Sequence, residues 1–191
     1  LLVGHLPALL DRTGKQACII GLGSGMTLGS VARYPSYEQI DCVEISEGVI
    51  AASAFFKDEI YDVLNDPRVR LLRADGRNHL LLTDEQYDLI VSEPSNPWLA
   101  GISNLFTREF FELCRARLTR DGVFAVWLQS YSTSQDSFRM VIRTLFEVFD
   151  SVSIWEAGLN DYCLIAWNGP RRLTLQDVAA RFEPLPVQQD L

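Results

Sequence analysis

The residues best suited to chemistry begin with a glycine-rich turn, in which Gly21, Gly23 and Gly25 follow the apolar run ACII (17–20). Glycine tolerates positive φ angles and lets a ligand approach the backbone closely. A helix that begins just behind such a turn presents free N–H groups to the ligand. The pattern predicts a nucleotide-binding turn, and the alternative is a tight turn that binds nothing.

The spacing within this turn narrows the choice of nucleotide. A dinucleotide-binding turn needs a small third residue in G-x-G-x-x-G, and this chain has the bulky Met26 at that position. A P-loop needs Gly-Lys followed by Ser or Thr, which the turn does not contain. The turn therefore disfavours NAD and lacks the signature of a nucleoside triphosphate site.

Two carboxylates follow the next two apolar runs. Glu44 closes IDCVEI (40–45), where a carboxylate can accept both hydroxyls of an adenosine ribose. Asp75 closes VRLLRAD (69–75), where it can accept a hydrogen bond from an adenine amino group, with Gly76 letting the base approach. An ordinary surface glutamate and an Asx turn or helix cap are the alternatives. Because parallel strands end at one edge of a sheet, the turn and both carboxylates predict one adenosine site.

The fourth apolar run ends in SEPSNPW (92–98), which places two polar side chains near the reactive end of such a ligand. Glu93 and Asn96 are the catalytic candidates, because together they can orient an amine and take its proton. Pro94 and Pro97 also fit a purely structural interpretation, in which they shape a rigid loop.

Three further residues are candidates for the substrate pocket. Trp98 begins WLAGISNLF (98–106), which is typical of a lid but could instead dock a partner. Gln129 ends the fifth apolar run and Tyr131 follows it, so both could line the pocket or serve the core alone.

Composition excludes several classes of function. The net charge of −8 disfavours nucleic acid and suits a cationic or small neutral substrate. No His, Cys and carboxylate group has metal-ligand spacing, so we expect no metal. No apolar run approaches the ~20 residues that span a bilayer, and we find no signal peptide. The four cysteines form no C-x-x-C pair, so we expect buried, reduced thiols and a cytoplasmic location.

The elements that must position these residues alternate between apolar runs and segments of helical period. This favours βαβ units with a mostly parallel sheet, followed by a hairpin over 151–169. We predict a seven-stranded, Rossmann-like class I methyltransferase fold, with helices on both faces and a C-terminal antiparallel hairpin. Residues 1–170 form its nucleoside-binding domain, and 171–191 form a C-terminal helix and a frayed tail. The expected strands are 17–21, 40–45, 69–75, 87–94 and 122–129, and the expected helices are 3–11, 27–34, 46–56, 58–65, 107–118, 134–149 and 175–182.

With these motifs in place, the sequence resembles the spermidine synthase family, most of all the spermidine-synthase-like domains often fused to membrane segments. The matching stretches are GHLPALL, IIGLGSGMTLGSVARYP, VEISEGVI, RLLRADGRNHL, YDLIVSEPSNPW and NLFTREFF. The resemblance implies that the glycine turn with Ser24, together with Glu44, binds the nucleoside of S-adenosylmethionine or its decarboxylated form. It also implies that Asp75 binds the adenine and that Glu93 takes the place of the catalytic aspartate.

The resemblance implies a transferase of polyamine biosynthesis that moves an aminopropyl group to a polyamine. The family has aspartates where this chain has Ser24, Glu93 and Asn96, and its small N-terminal β-domain is missing here. Methyl transfer to a small acceptor and a non-catalytic nucleoside-sensing domain of a larger membrane protein therefore stay open. A start at Leu1 suits a piece of a longer protein, attached to a membrane through its missing part. A homodimer is the expected assembly.

Overall fold

The computed structural model describes residues 1–11, 14–94, 101–131, 133–169 and 174–191. In this part of the chain the strands are Gln16–Ile20 (β1), Gln39–Glu44 (β2), Val69–Arg73 (β3), Tyr87–Ser92 (β4), Leu118–Gln129 (β5), Ser151–Gly158 (β6) and Asp161–Trp167 (β7). They form one seven-stranded sheet in the order β3-β2-β1-β4-β5-β7-β6. The first five strands pair in parallel, and β7 runs antiparallel to both of its neighbours. The predicted fold class is confirmed.

The helices cover both faces of this sheet. They are Leu2–Leu10 (α1), Met26–Ala32 (α2), Glu47–Ser53 (α3), Gly76–Leu82 (α4), Arg108–Arg117 (α5), Gln135–Val148 (α6), Leu175–Phe182 (α7) and Leu185–Asp190 (α8), with 3-10 turns at Ala54–Phe56, Val63–Asn65 and Ile102–Phe106. One core cluster packs α1 and α2 on the sheet, and a second packs α4, α5 and α6 on the opposite face. The inner strands β1, β2, β4 and β5 are therefore mostly buried, and the parallel strands β1 to β5 end at the same edge of the sheet.

Three predicted helix starts are confirmed by their capping hydroxyls. Ser46 accepts a hydrogen bond from the Val49 N–H, and Thr107 accepts one from the Phe110 N–H. Ser134 does the same for the N–H of Ser137, three residues into its helix. A side-chain oxygen satisfies one of the free N–H groups of the first turn, and this local chemistry is readable from sequence.

The helix expected over 58–65 is wrong. Tyr61 and Asp62 have φ angles of 58° and 52°, which a right-handed helix cannot contain. This turn places Ile60 in the core, where its side chain is buried and the residue packs against Gly25 and Gly29 at the start and in the middle of α2. Tertiary packing therefore overrides the local helical propensity of this segment.

Some apolar side chains are more exposed than the sequence predicts. Phe146 follows Phe138, Ile142 and Leu145 at helical spacing, which predicts that it faces the sheet, but 54% of its surface is exposed. The neighbouring turns already bury Val141 and Leu145, and position 146 lies beyond the edge of that stripe. The strand positions of Trp127, Trp155 and Trp167 predict core residues: Trp167 is buried, Trp155 is half-buried and packs against the first core cluster, and Trp127 is half-buried.

The C-terminal tail is not frayed. Val187 of α8 is fully buried, and the side chain of Asp190 is 2% exposed. Asp190 contacts His5, Arg33 and Tyr61, all from elements near the start of the chain. These contacts join distant parts of the sequence, so no local pattern indicates them. The boundary at residue 170 stays a prediction.

All four cysteines are buried and unpaired, as expected. Burial raises the pKa of Cys42 to about 12, which keeps that thiol protonated and unreactive. Across the described ranges, no helix is both long enough and apolar enough to cross a bilayer.

Candidate functional site

The glycine turn joins β1 to α2 at the carboxyl edge of the sheet. Gly21, Gly23 and Gly25 have φ angles of 95°, 53° and 89°, a region that side chains other than glycine rarely adopt. The Gly21 N–H donates to the Val43 carbonyl at 2.9 Å, so strand pairing continues into the turn. The Gly25 N–H then donates to the Leu22 carbonyl at 2.7 Å and closes the bend.

The three glycines have different surroundings. A Cβ on Gly21 would lie 2.7 Å from the Glu93 carbonyl oxygen, and one on Gly25 would lie 2.9 Å from Ile60 Cδ1. A Cβ on Gly23 would meet nothing within 4 Å. Gly21 and Gly25 are therefore required by packing, whereas Gly23 leaves its backbone open to a ligand. Ser24, half-exposed, lies beside that opening.

Glu44 ties the ends of β1 and β2 together. One carboxylate oxygen accepts the Leu22 N–H at 2.9 Å, and the other accepts the Ser46 N–H at 2.7 Å. The residue is 8% exposed. Each carboxylate oxygen has a second lone pair, so both can still accept the hydroxyls of a ribose. The structure thus brings Glu44 to the glycine turn, as the sequence predicted.

Asp75 lies at the next strand end and caps α4. Its Oδ1 accepts the Asn78 N–H at 2.8 Å, so the helix-cap interpretation of this residue is correct. No hydrogen bond from the described residues reaches its second oxygen, which leaves that oxygen available to an adenine amino group. The Ala74 N–H donates to the Glu44 carbonyl at 3.1 Å, which holds Asp75 close to the ribose candidate.

Gly76 is required by packing rather than by an open ligand site. A Cβ at this position would lie 2.3 Å from Ile20 Cγ2, at the end of β1. The glycine therefore lets α4 begin directly against the sheet, next to the glycine turn.

Glu93 follows β4 and lies directly against the glycine turn. Its N–H donates to the Ile20 carbonyl at 2.9 Å. Burial raises the pKa of its carboxyl group above the ordinary value of 4.5, while a hydrogen bond with the Thr27 hydroxyl acts in the opposite direction. A carboxylate with a raised pKa is a better proton acceptor near neutral pH, which suits a general base.

The remaining candidates lie at or beyond the end of β5. Gln129 is 1% exposed, and its side-chain oxygen accepts the Tyr131 hydroxyl at 3.0 Å. Tyr131 itself is 46% exposed, so it presents its ring at the edge of the sheet. Asn96 and Trp98 lie outside the described residues, and their roles stay predictions.

The described part of the lid segment is attached to α4. Its 3-10 turn begins after Gly101, which has a φ of 90°, and Phe106 of this turn is buried in the second core cluster. The Arg77 guanidinium donates to the Thr107 hydroxyl at 3.4 Å, which links the segment to α4, the helix that Asp75 caps.

A groove of about 580 Å³ lies beside this segment. Its walls include Phe106, Leu128, Ser134 and Val141, which belong to the α5 and α6 side of the sheet. The carboxylates of Glu44 and Glu93 line no part of it, so this groove is separate from the predicted nucleoside site.

Two contributors to the site escaped the sequence analysis. Thr27 hydrogen-bonds with Glu93 and is 3% exposed, but a threonine in the first turn of a helix gives no signal of such a contact. Asp161 begins β7 beside Gln129, and its place among turn residues suggested only a hairpin.

Several known proteins are similar to this chain in sequence. A model of the spermine/spermidine synthase domain matches residues 2–168. The polyamine aminopropyltransferase of Erwinia tasmaniensis is 33% identical over 187 residues, covering 93% of this chain and 65% of the relative. That of Sodalis glossinidius is 30% identical over 191 residues, covering 95% and 66%. The chain therefore spans slightly less than two thirds of these relatives.

Solved structures share the fold. A spermidine synthase in complex with the transition-state analogue AdoDATO superposes with a TM-score of 0.77 at 24% identity, covering 93% of this chain and 60% of that chain. Human methyltransferase-like protein 13 in complex with SAH superposes with a TM-score of 0.74 at 20% identity, covering 98% and 86%. Both likenesses support the α/β architecture described above.

Proposed function

The chain belongs to the spermine/spermidine synthase family, and we propose that it transfers an aminopropyl group from decarboxylated S-adenosylmethionine to an amine of a polyamine. The observation that carries the proposal is the position of Glu44. Its two carboxylate oxygens hold the glycine turn and the start of α3 by backbone hydrogen bonds, and each has a lone pair left for a ribose hydroxyl.

Each described site residue has a role in this proposal. Glu44 binds the ribose, Asp75 and the backbone beside Gly76 bind the adenine, and the open backbone at Gly23 lies along the donor, with Ser24 next to it. Gln129 and Tyr131 line the acceptor side. The predicted roles of Asn96 and Trp98 are to orient the amine and to cover it.

The chemistry requires little from the protein beyond alignment and proton removal. The donor sulfonium supplies an activated carbon: as the amine nitrogen bonds to it, the carbon–sulfur electron pair leaves with sulfur as a neutral thioether. Glu93 accepts the proton that the amine loses, which keeps the nitrogen lone pair available. The half-buried position of Glu93 reduces its contact with water, which strengthens its interaction with a cationic amine.

Methyl transfer from intact S-adenosylmethionine is the second candidate. Ser24 favours it, because a neutral hydroxyl stands where the family has an aspartate. An aspartate would repel the carboxylate of the intact donor, and a serine does not. Calorimetry with the intact and the decarboxylated donor compares the two proposals, since methyl transfer requires the intact donor to bind at least as tightly.

The deciding experiment measures both products. The purified protein is incubated with 1,4-diaminobutane and the decarboxylated donor, and separately with the intact donor. We expect 5′-methylthioadenosine and an aminopropylated amine in the first case, and no S-adenosylhomocysteine in the second. Glu93→Gln should lower kcat by roughly a hundredfold or more with donor binding retained. Glu112→Gln, an exposed carboxylate on α5, serves as the control.

The opposite result has a clear meaning. If the nucleoside binds but neither product forms with any amine, the result contradicts aminopropyl transfer and favours a nucleoside-sensing domain. A homodimer, attachment to a membrane segment and a cytoplasmic location stay predictions, of which sedimentation of the purified protein tests the first.

A further inference from the structure

Asp161 places a carboxylate at the carboxyl edge of the sheet, and the function proposed above gives it no role. It begins β7, and its Oδ1 is buried without a hydrogen-bond partner among the described residues. A buried carboxylate oxygen that accepts no hydrogen bond is costly, because it has lost its water without replacement. An unpaired oxygen of this kind can accept a hydrogen bond from a bound ligand.

The position of Asp161 is set by the hairpin and by β5. Asp161 pairs with Gln129 in the register of β5 and β7. The Ser130 N–H donates to the Asn160 carbonyl at 2.9 Å, which ties the hairpin turn to the end of β5. Asn160 has a φ of 64°, as a tight turn at this position requires. The carboxylate is therefore held beside Gln129, which we proposed to line the acceptor side.

Asp161 and Glu93 lie on the same face of the sheet. Side chains alternate along a strand, and both Cys163 of β7 and Val91 of β4 belong to the core cluster under α1 and α2. Glu93 lies two residues beyond Val91, and Asp161 lies two residues from Cys163, in both cases toward the carboxyl edge of the sheet. Because every second side chain of a strand points to the same face, Asp161 and Glu93 project toward the α1 and α2 side.

The distance between the two carboxylates suits a short diamine. β4 and β7 are separated only by β5, so their backbones are roughly 10 Å apart. The Glu93 carboxylate acts across this gap: after burial, it is the second cause that raises the pKa of Cys163 to about 12. A chain of a few methylene groups with an ammonium at each end can therefore reach both carboxylates.

Trp127 provides an apolar surface between the two carboxylates. It pairs with Cys163 across β5 and β7, and it follows Val126, which pairs with Ser92 of β4. The residue is half-buried, so it is not fully enclosed by the core. An indole surface favours both methylene groups and nearby cationic charge.

We infer that Asp161 binds the distal ammonium of a diamine acceptor, while Glu93 faces the amine that reacts. The inference rests on the proposed function, and it names the residue that makes the acceptor site selective for a dication. The buried oxygen of Asp161 gains its missing hydrogen-bond donor when the ammonium binds. The acceptor then bridges β4 and β7 over Trp127.

The test compares acceptors that differ only in the second charge. For Asp161→Asn, we expect KM for 1,4-diaminobutane to rise roughly tenfold or more, since a charge-assisted hydrogen bond is lost. We expect kcat to change little, and turnover of 1-aminobutane to stay as in the parent protein. Glu156→Gln is the matched control, because it removes a carboxylate from the same hairpin on the opposite face, and its KM should be unchanged.

A structural role for Asp161 predicts something different. If Asp161→Asn lowers the melting temperature and leaves the preference for the diamine intact, the residue serves the hairpin and the inference is wrong. We expect an unchanged melting temperature and a weaker preference for the diamine, since asparagine has nearly the same shape as aspartate and carries no charge.

Failure of this inference is distinguishable from failure of the proposed function. If the parent protein converts 1,4-diaminobutane and Asp161→Asn has the same KM, the inference fails and the function stands. If no amine is converted, the inference is tested by calorimetry, in which 1,4-diaminobutane is titrated into the parent protein and into Asp161→Asn, both saturated with 5′-methylthioadenosine. Binding of 1,4-diaminobutane that is lost in Asp161→Asn supports the inference, and binding that is equal in both proteins, or absent from both, overturns it.

Discussion

At the scale of single residues, the site depends on carboxylates that differ in their surroundings. Glu44 is held by two backbone N–H groups, which suits a fixed acceptor of hydrogen bonds. Glu93 is half-buried beside Thr27 and has a raised pKa, which suits a proton acceptor. Asp161 has an oxygen without a partner in the described structure, which suits an ion-pairing site. All three side chains are carboxylates, so the different roles that we assign to them follow from their different surroundings.

The pairing of Thr27 with Glu93 predicts a pH effect. Burial raises the pKa of Glu93, and the Thr27 hydroxyl lowers it. A general base must be deprotonated to act. Thr27→Val removes the hydroxyl that lowers the pKa of Glu93, so the acidic limb of the kcat/KM profile should move to higher pH. Thr27→Ser keeps a hydroxyl and should have a profile close to that of the parent protein. Among the described residues, the thiols of Cys42 and Cys163 also lie near the carboxylate, and burial raises the pKa of each to about 12. An unchanged pH profile in Thr27→Val contradicts this role.

At the scale of elements, three strands pass directly into helices at the same edge. The glycine turn starts α2, Ser46 caps α3 and Asp75 caps α4. The short connections leave no room for adjustment, so each junction positions one part of the site. Gly76 shows how tight this arrangement is, because the start of α4 touches the end of β1 at that residue.

This close packing predicts opposite effects of the same substitution at two glycines. Gly76→Ala places a methyl group 2.3 Å from Ile20 Cγ2 and should destabilise the protein by about 1–3 kcal/mol. It should also weaken nucleoside binding, since α4 carries Asp75. Gly48→Ala in α3 meets nothing nearer than 3.6 Å and should stabilise by about 0.4–1 kcal/mol. Urea unfolding of both variants measures these changes, and equal effects would contradict the packing argument.

At the scale of the whole molecule, the two ends of the chain are joined. His5 of α1 lies 3.2 Å from Asp190 of α8, and Asp190 also pairs with Arg33 and accepts the Tyr61 hydroxyl at 2.6 Å. Tyr34 contacts the other ring nitrogen of His5 at 3.1 Å. This buried network holds the C-terminal segment against the α1 and α2 face, behind the site.

The network predicts how stability depends on pH. Burial lowers the pKa of His5 below 6.5, although the nearby Asp190 carboxylate acts to raise it. The unfolded chain takes up a proton near pH 6.5, and the folded protein does so only at lower pH, so acidification favours unfolding. The melting temperature should therefore fall as the pH is lowered through this range.

Histidine variants separate the contributions to this trend. Burial lowers the pKa of His79 as well, so both histidines contribute with the same sign. His5→Gln should reduce the pH dependence of the melting temperature, and His79→Gln should leave the part that belongs to His5. The proposed role of the network is wrong if His5→Gln has the same pH dependence as the parent protein.

The sequence by itself determined the elements and the residues that close them. The alternation of apolar runs and helical periods predicts the sheet, the hairpin and the capped helices, because these patterns depend on neighbours within a few residues. The glycine spacing predicts the left-handed turn, and the positions of Glu44 and Asp75 at strand ends predict that they meet there, since parallel strands end at one edge.

Only the tertiary structure decided which side chains face one another across elements. The contact of Thr27 with Glu93, the turn that carries Ile60 beneath Gly25 and the junction of His5 with Asp190 join residues far apart in the chain. Such contacts depend on how the helices pack against the sheet, and the periodicity of the sequence does not determine that packing. The unpaired oxygen of Asp161 belongs to the same class, because burial and the absence of a partner among described residues are properties of the packed molecule alone.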